Sequence, residues 1–115
     1  MDWQVVFYQD ADGNEPVKDF ILAQSKGTQA EIIRVMDLLY RLNVNLHMPY
    51  VEKIGKSGIR ALRIKHSSDI YRIFFFAYTG RKFVLLHAIT KKSDKLKQSD
   101  INLAIQRMDE FKERY

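Results

Sequence analysis

Cysteine is absent from this chain of 115 residues. With no thiol, disulfide scaffolds, cysteine-ligated zinc, iron–sulfur clusters and thiol nucleophiles are all excluded. The absence fits a reducing compartment, and a cytoplasmic location is expected. Three histidines with no cysteine argue against a metal centre, and neither a metal nor a cofactor is expected. Long hydrophobic runs are missing too. The most apolar stretches, 73–78 and 83–89, are far shorter than the roughly 20 residues that span a bilayer, so no membrane partner is expected. Met1-Asp2-Trp3-Gln4 carries an acid and no basic n-region, so no signal peptide is expected. Gly55 and Gly58 lack the spacing and the following helix of a phosphate-binding loop. Asp10 and Asp12 flank a turn without the remainder of a calcium loop, and Glu52 stands alone.

What is present describes a folded chain. Hydrophobic residues make up 46% and charged residues 29%, a balance that disordered chains do not show. A chain of this length buries roughly two-thirds of its unfolded surface, so one domain covering residues 1–115 is expected. Nineteen Lys and Arg against fourteen Asp and Glu leave a formal charge of +5, with a pI of about 9.5. Such an excess favours polyanions, nucleic acid first, through phosphate neutralisation and counterion release.

Periodicity predicts the order β-α-α-β-β-β-α. Trp3–Tyr8 is aromatic and β-branched, as a strand requires. After the turn at 10–14, a helix is expected near Glu15-Pro16, capped by Asn14, with Val17, Phe20 and Ile21 on one face and its end at Ser25-Lys26-Gly27. Thr28 and Glu31 read as a capping box for a second helix running to about Asn43. Its apolar stripe is Ile32, Val35, Met36, Leu39 and Leu42, widened by Ile33 and Leu38. The two helices make an αα-hairpin. A linker, 45–56, leads to three strands at 59–66, 70–76 and 83–89, joined by compact turns and therefore antiparallel neighbours. Ser99-Asp100 is expected to cap a final helix with Ile101, Ala104, Ile105, Met108 and Phe111 on one face. The predicted class is α+β: a small antiparallel sheet, an N-terminal αα-hairpin and a C-terminal helix, all the helices on one face and the other partly free.

The free face matters because the strands carry cations. Side chains alternate along a strand. Leu62 and Ile64 therefore share a face with Arg60 and His66, while Arg63 and Lys65 look outward with Ala61. Arg72 shares its face with Phe74 and Phe76. Strict alternation puts His87 with Phe83, Leu85 and Ile89, opposite Val84, Leu86 and Ala88. A buried cation is costly, so these residues must meet water, a partner or a polyanion. Arg63, Lys65, Arg72, Lys91 and Lys92 form one patch only if strand register allows it.

Four motifs in order, Gly58-Ile59-Arg60-Ala61-Leu62-Arg63, Tyr71-Arg72-Ile73-Phe74-Phe75, Leu85-Leu86-His87-Ala88-Ile89 and Lys91-Lys92, followed by Ala104 and Arg107 in the last helix, resemble the HigB-like branch of the RelE/ParE toxin superfamily. The resemblance covers nearly the whole chain and implies a RelE-like fold. It also implies an endoribonuclease that cleaves messenger RNA, usually within the ribosome, and a small antitoxin partner, often of helix-turn-helix type. Four features depart from the family pattern. Ala61 replaces a glutamate, Ile89 replaces a phenylalanine, the tract Ser93–Lys97 has no proline, and the aromatic that some ribosome-dependent relatives carry near the last helix has no clear counterpart, Tyr115 being a distant candidate.

Metal-free RNA cleavage needs a base for the 2′-hydroxyl, positive charge on the phosphorane and an acid for the leaving oxygen. The planar fork of arginine suits the phosphate, a role expected of Arg72 with Arg63 assisting. Lys65, Lys91 and Lys92 are candidates for proton transfer or electrostatic support, because neighbouring cations make a lysine a better base. His87 is a further proton-transfer candidate and His66 a weaker one. Arg60, Arg63, Lys65, Arg72, Lys92 and Lys95 are the expected RNA contacts. Two other readings stay open: a weakened relative that binds antitoxin or RNA without cutting, and a ParE-like toxin directed at DNA gyrase through the same fold.

Overall fold

The computed structural model describes residues 2–91 and 95–115. Among these, five strands form one sheet in the order β1-β5-β4-β3-β2. β1 (Gln4–Phe7) runs parallel to β5 (Lys82–Lys91). β5, β4 (Asp69–Tyr78), β3 (Arg60–His66) and β2 (Val51–Lys53) are antiparallel neighbours in a meander. The class is α+β, as the periodicity predicts.

β1 and β2 lie at opposite edges, so the chain between them must cross the sheet. It crosses as α1 (Pro16–Leu22) and α2 (Lys26–Leu42). Val17, Ile32, Val35 and Leu39 are buried against Leu62, Ile73, Phe75 and Leu85, and Trp3 stacks on Phe83 with ring centres 4.3 Å apart. α3 (Gln98–Arg114) packs on the opposite face, where Ala104, Met108 and Phe111 meet Phe74, Phe76, Val84 and Leu86. The expectation of helices on one face only is thus corrected. Residues 71–76 are all buried, and a strand apolar on both sides needs a cover on both sides.

Several boundaries also differ from expectation. Ser25 caps α2 by accepting a hydrogen bond from the Thr28 amide at 3.3 Å, so the helix starts a turn earlier and Thr28 is buried inside it. Glu31, freed from a capping role, pairs with Arg34. Asn14 does not cap α1, because its amide and side chain both bond Asp10. Ser99 and Asp100 lie within the first turn of α3, after Lys97 at the cap position. Ile33 and Leu42, expected in the apolar stripe of α2, are exposed. β2 falls inside the predicted linker.

A β-bulge interrupts the β4–β5 ladder: Phe74 faces His87 but Phe75 faces Leu85, leaving Leu86 as the extra residue. Past a bulge the alternation inverts. Leu86 and His87 both end up on the α3 face, Ala88 on the α1/α2 face, and Lys91, opposite Ile70, returns to the α3 face. Arg107 holds the irregular turn, its Nη1 donating to the Leu86 carbonyl at 2.8 Å, while the small Ala104, fully buried, lets the helix come close. Arg107→Ala leaves that half-buried carbonyl unpaired, and we expect a loss of about 1–2 kcal/mol in denaturant unfolding, with faster amide exchange around Leu86. Farther along α3, the Tyr8 hydroxyl donates to Glu110 Oε1 at 2.8 Å. Burial, then the Glu110 bond, pushes this phenol above its ordinary range.

Candidate functional site

The register fixes which strand residues are neighbours on the α3 face. Three cross-strand rows run in parallel. Glu52, Ala61, Phe74 and His87 form the first, Arg63, Arg72 and Ile89 the second, and Lys65, Ile70 and Lys91 the third. Directly opposed side chains stand about 5 Å apart at Cβ. Four of the predicted site residues, Arg63, Lys65, Arg72 and Lys91, therefore sit together at one end of one face. Met108 and Phe111 of α3 are buried with Phe74, Phe76, Val84 and Leu86, so the helix covers the other end of that face. Lys65 is exposed, and Arg63 and Lys91 are half-buried.

Arg72 is different. It is only 1% exposed, and its Nε donates to Glu52 Oε1 at 2.7 Å. The direct fork-to-phosphate contact expected of it is replaced by a buried ion pair that spans strand β3, since Glu52 is on β2 and Arg72 on β4. Ala61, on β3 in the same row as Glu52 and fully buried, leaves room for that crossing. The carboxylate missing at 61 is thus supplied from the next strand. Arg63 and Arg72 are directly opposed like charges, an arrangement that costs energy unless an anion lies close. Glu52 is that anion for Arg72. Its second carboxylate oxygen has no hydrogen-bond partner among the described residues.

His87 lies at the other end of the first row. Its ring stacks on Phe74, centres 5.7 Å apart and 12° from parallel. Its Nε2 is 2.9 Å from Asp100 Oδ1, and both side chains are largely buried. Asp100 is in the first turn of α3, where the helix dipole favours an acid. With Nε2 engaged, Nδ1 has no hydrogen-bond partner among the described residues. Strict alternation predicts His87 on the opposite face, and the bulge is what turns it here.

The remaining candidates are not brought together. Arg60 and His66 project to the α1/α2 face with Leu62 and Ile64, the His66 ring lying against Gly27. Lys95 is exposed just before α3. Lys92 lies outside the described residues. Sequence reasoning missed Glu52 and Asp100. Glu52 carried no signal, because a three-residue strand is too short for alternation to show. Asp100 was visible as a helix-start residue but was assigned to the cap.

The arrangement can hold an anion on Lys65, Arg63 and Lys91, flanked by a carboxylate locked by arginine and an imidazole locked by a carboxylate. Among the described residues, no group of three His, Asp or Glu is placed to bind a metal ion, and no helix is long and apolar enough to cross a membrane. The family described as "Phage derived protein Gp49-like (DUF891)" matches residues 19–109, a span that contains every side chain of the three rows and Asp100. No curated protein matches the chain.

Proposed function

The chain belongs to the Gp49-like phage-derived family, a RelE/HigB-like toxin family, and we propose that it is the toxin of a type II toxin–antitoxin pair, a metal-independent endoribonuclease that cuts messenger RNA on the ribosome. The observation that carries this reading is the cross-strand register, which gathers Arg63, Lys65, Arg72 and Lys91 beside two preorganised proton-exchanging groups.

In the proposed reaction the ribose 2′-oxygen attacks the adjacent phosphorus. Glu52 takes the 2′-hydroxyl proton on the carboxylate oxygen not bound by Arg72. Arg63, Lys65 and Lys91 hold the phosphorane charge. His87 gives a proton to the departing 5′-oxygen. The products are a 2′,3′-cyclic phosphate and a 5′-hydroxyl end, so atoms and charge balance without a water or a metal. Arg72 acts as a positioning residue for Glu52, and Asp100 does the same for His87. The antitoxin, proposed to be of helix-turn-helix type, would cover the same basic end.

Burial of Arg72 favours one second reading, in which the face binds RNA without cutting it. Expression of the chain alone separates the two. We expect growth arrest with messages cut at discrete positions by primer extension. The purified protein with ribosome-bound message, in buffer whose only divalent ion is the magnesium the ribosome requires, should leave 2′,3′-cyclic-phosphate ends. Arrest with intact messages overturns the nuclease. If plasmid supercoiling changes in those cells, a gyrase-directed toxin takes its place.

A further inference from the structure

A cleft beside the basic end is unused by the chemistry above. β2 pairs with β3 only as far as Leu62, and past that point the edge of β3 faces Tyr50 and α2. Between them lies a cleft of about 200 Å³ whose lining includes Glu31, Arg34, Tyr50, Arg63 and Lys65. Pockets that enclose a whole drug-sized ligand measure roughly 300–1,000 Å³, so this one suits a single ring system. Two of its walls, Arg63 and Lys65, are also cations of the proposed site.

Its other walls are preorganised. The Arg34 guanidinium lies over the Tyr50 ring, 5.9 Å from its centre. Nε and Nη2 of Arg34 both donate to one oxygen, Glu31 Oε1, at 3.0 and 2.6 Å. The guanidinium is therefore tied to Glu31 and held within cation–π reach of the Tyr50 ring. The second Glu31 oxygen has no hydrogen-bond partner among the described residues. The Arg34 hydrogen bond holds the Glu31 carboxyl below the usual carboxylate range, so it is ionised at neutral pH and can only accept.

We propose that this cleft receives one nucleobase of the RNA, with the Arg34–Tyr50 pair as the stacking surface, Glu31 as the acceptor for the base's N–H donors, and guanine as the preferred base. The inference rests on the nuclease reading for its substrate. Unpaired RNA bases are recognised by stacking on aromatic rings and guanidinium planes, with hydrogen bonds to their Watson–Crick edges. Guanine alone offers two adjacent donors on that edge, N1–H and the exocyclic amine, toward a single carboxylate. Adenine and cytosine offer an amine beside a ring acceptor, which the carboxylate repels. Uracil offers one N–H between two carbonyls. Lys65 and Arg63 then neutralise the phosphate attached to the bound nucleotide.

The test is equilibrium binding of short single-stranded RNAs that carry either G or A, C or U at one position, to the wild-type protein and to Glu31→Gln. Glu31 and Arg34 are at the surface, so both variants fold. We expect the wild type to prefer the G oligomer by about tenfold, the worth of a hydrogen bond to a charged acceptor, both guanine donors converging on the one Glu31 oxygen that Arg34 leaves open. Glu31→Gln should lose that preference while still binding, and Arg34→Ala should weaken all four oligomers. Equal binding of the four by wild type, or a guanine preference that survives Glu31→Gln, overturns the proposal. Guanine-selective binding with no cleavage of any RNA defeats the nuclease reading and leaves the cleft standing. Cleavage without base preference does the reverse.

Discussion

Glu52→Ala should lower the free energy of unfolding by about 2–3 kcal/mol, and Glu52→Ala combined with Arg72→Met should recover most of that loss. Removing the Glu52 carboxylate takes an anion from a buried arginine, and breaking a buried ion pair typically costs about 3–5 kcal/mol. The lower figure is expected here because the Glu52 side chain is 28% exposed and water moderates the pair. Arg72 keeps the penalty large. Its guanidinium is 1% exposed and stands directly opposite Arg63. A methionine of similar length at 72 removes the charge and fills the space, which is why the double variant should gain stability over the single one. Ala61→Leu should resemble Glu52→Ala, since a branched side chain at 61 stands where the Glu52–Arg72 bond crosses β3. The measurement is the denaturant midpoint at constant m-value. A Glu52→Ala protein within about 0.5 kcal/mol of wild type, the range of an ordinary surface substitution, would mean that the pair contributes nothing and that Arg72 is held by other contacts.

The same pair shows why the site was only partly legible beforehand. Helix and strand positions follow from local periodicity, and α2, α3, β3, β4 and β5 all lie close to where the pattern places them. The cationic cluster depends on pairing. Arg63 and Arg72 are neighbours because β3 and β4 form a tight hairpin in which His66 opposes Asp69, a register that alternation alone left open. Lys91 and His87 reach the same face only because one residue bulges in β5, and nothing in Leu85-Leu86-His87 announces it. The signal lay elsewhere, in Arg107, whose guanidinium serves the bulge from the last helix. Glu52 was illegible for a different reason. Its partner is twenty positions away and two strands across, so neither spacing nor alternation connects them. The two-sided cover of the sheet, in contrast, could have been read. A strand reading Tyr71-Arg72-Ile73-Phe74-Phe75-Phe76 has no polar face, and one layer of helices cannot bury it.

His87→Ala should lower message cleavage by about 10²–10⁴-fold, the usual loss when a general acid is removed, and the denaturant midpoint is measured beside it because the ring is largely buried against Phe74. Asp100→Asn should lower it less, by about tenfold or more. Asp100 touches no reacting atom in the proposed mechanism. It fixes the imidazole through Nε2 at 2.9 Å, which leaves Nδ1 to exchange the proton. Neutral asparagine keeps the shape but offers Nε2 a weaker hydrogen bond than the carboxylate does, so the imidazole is held less firmly. The double variant separates positioning through His87 from contact with substrate. Residues that act as a unit are strongly non-additive, so His87→Ala with Asp100→Asn should be no slower than His87→Ala alone. A multiplicative loss would place Asp100 in contact with substrate. Full activity in His87→Ala would remove the imidazole from the chemistry and leave the leaving-group proton to a lysine of the third row.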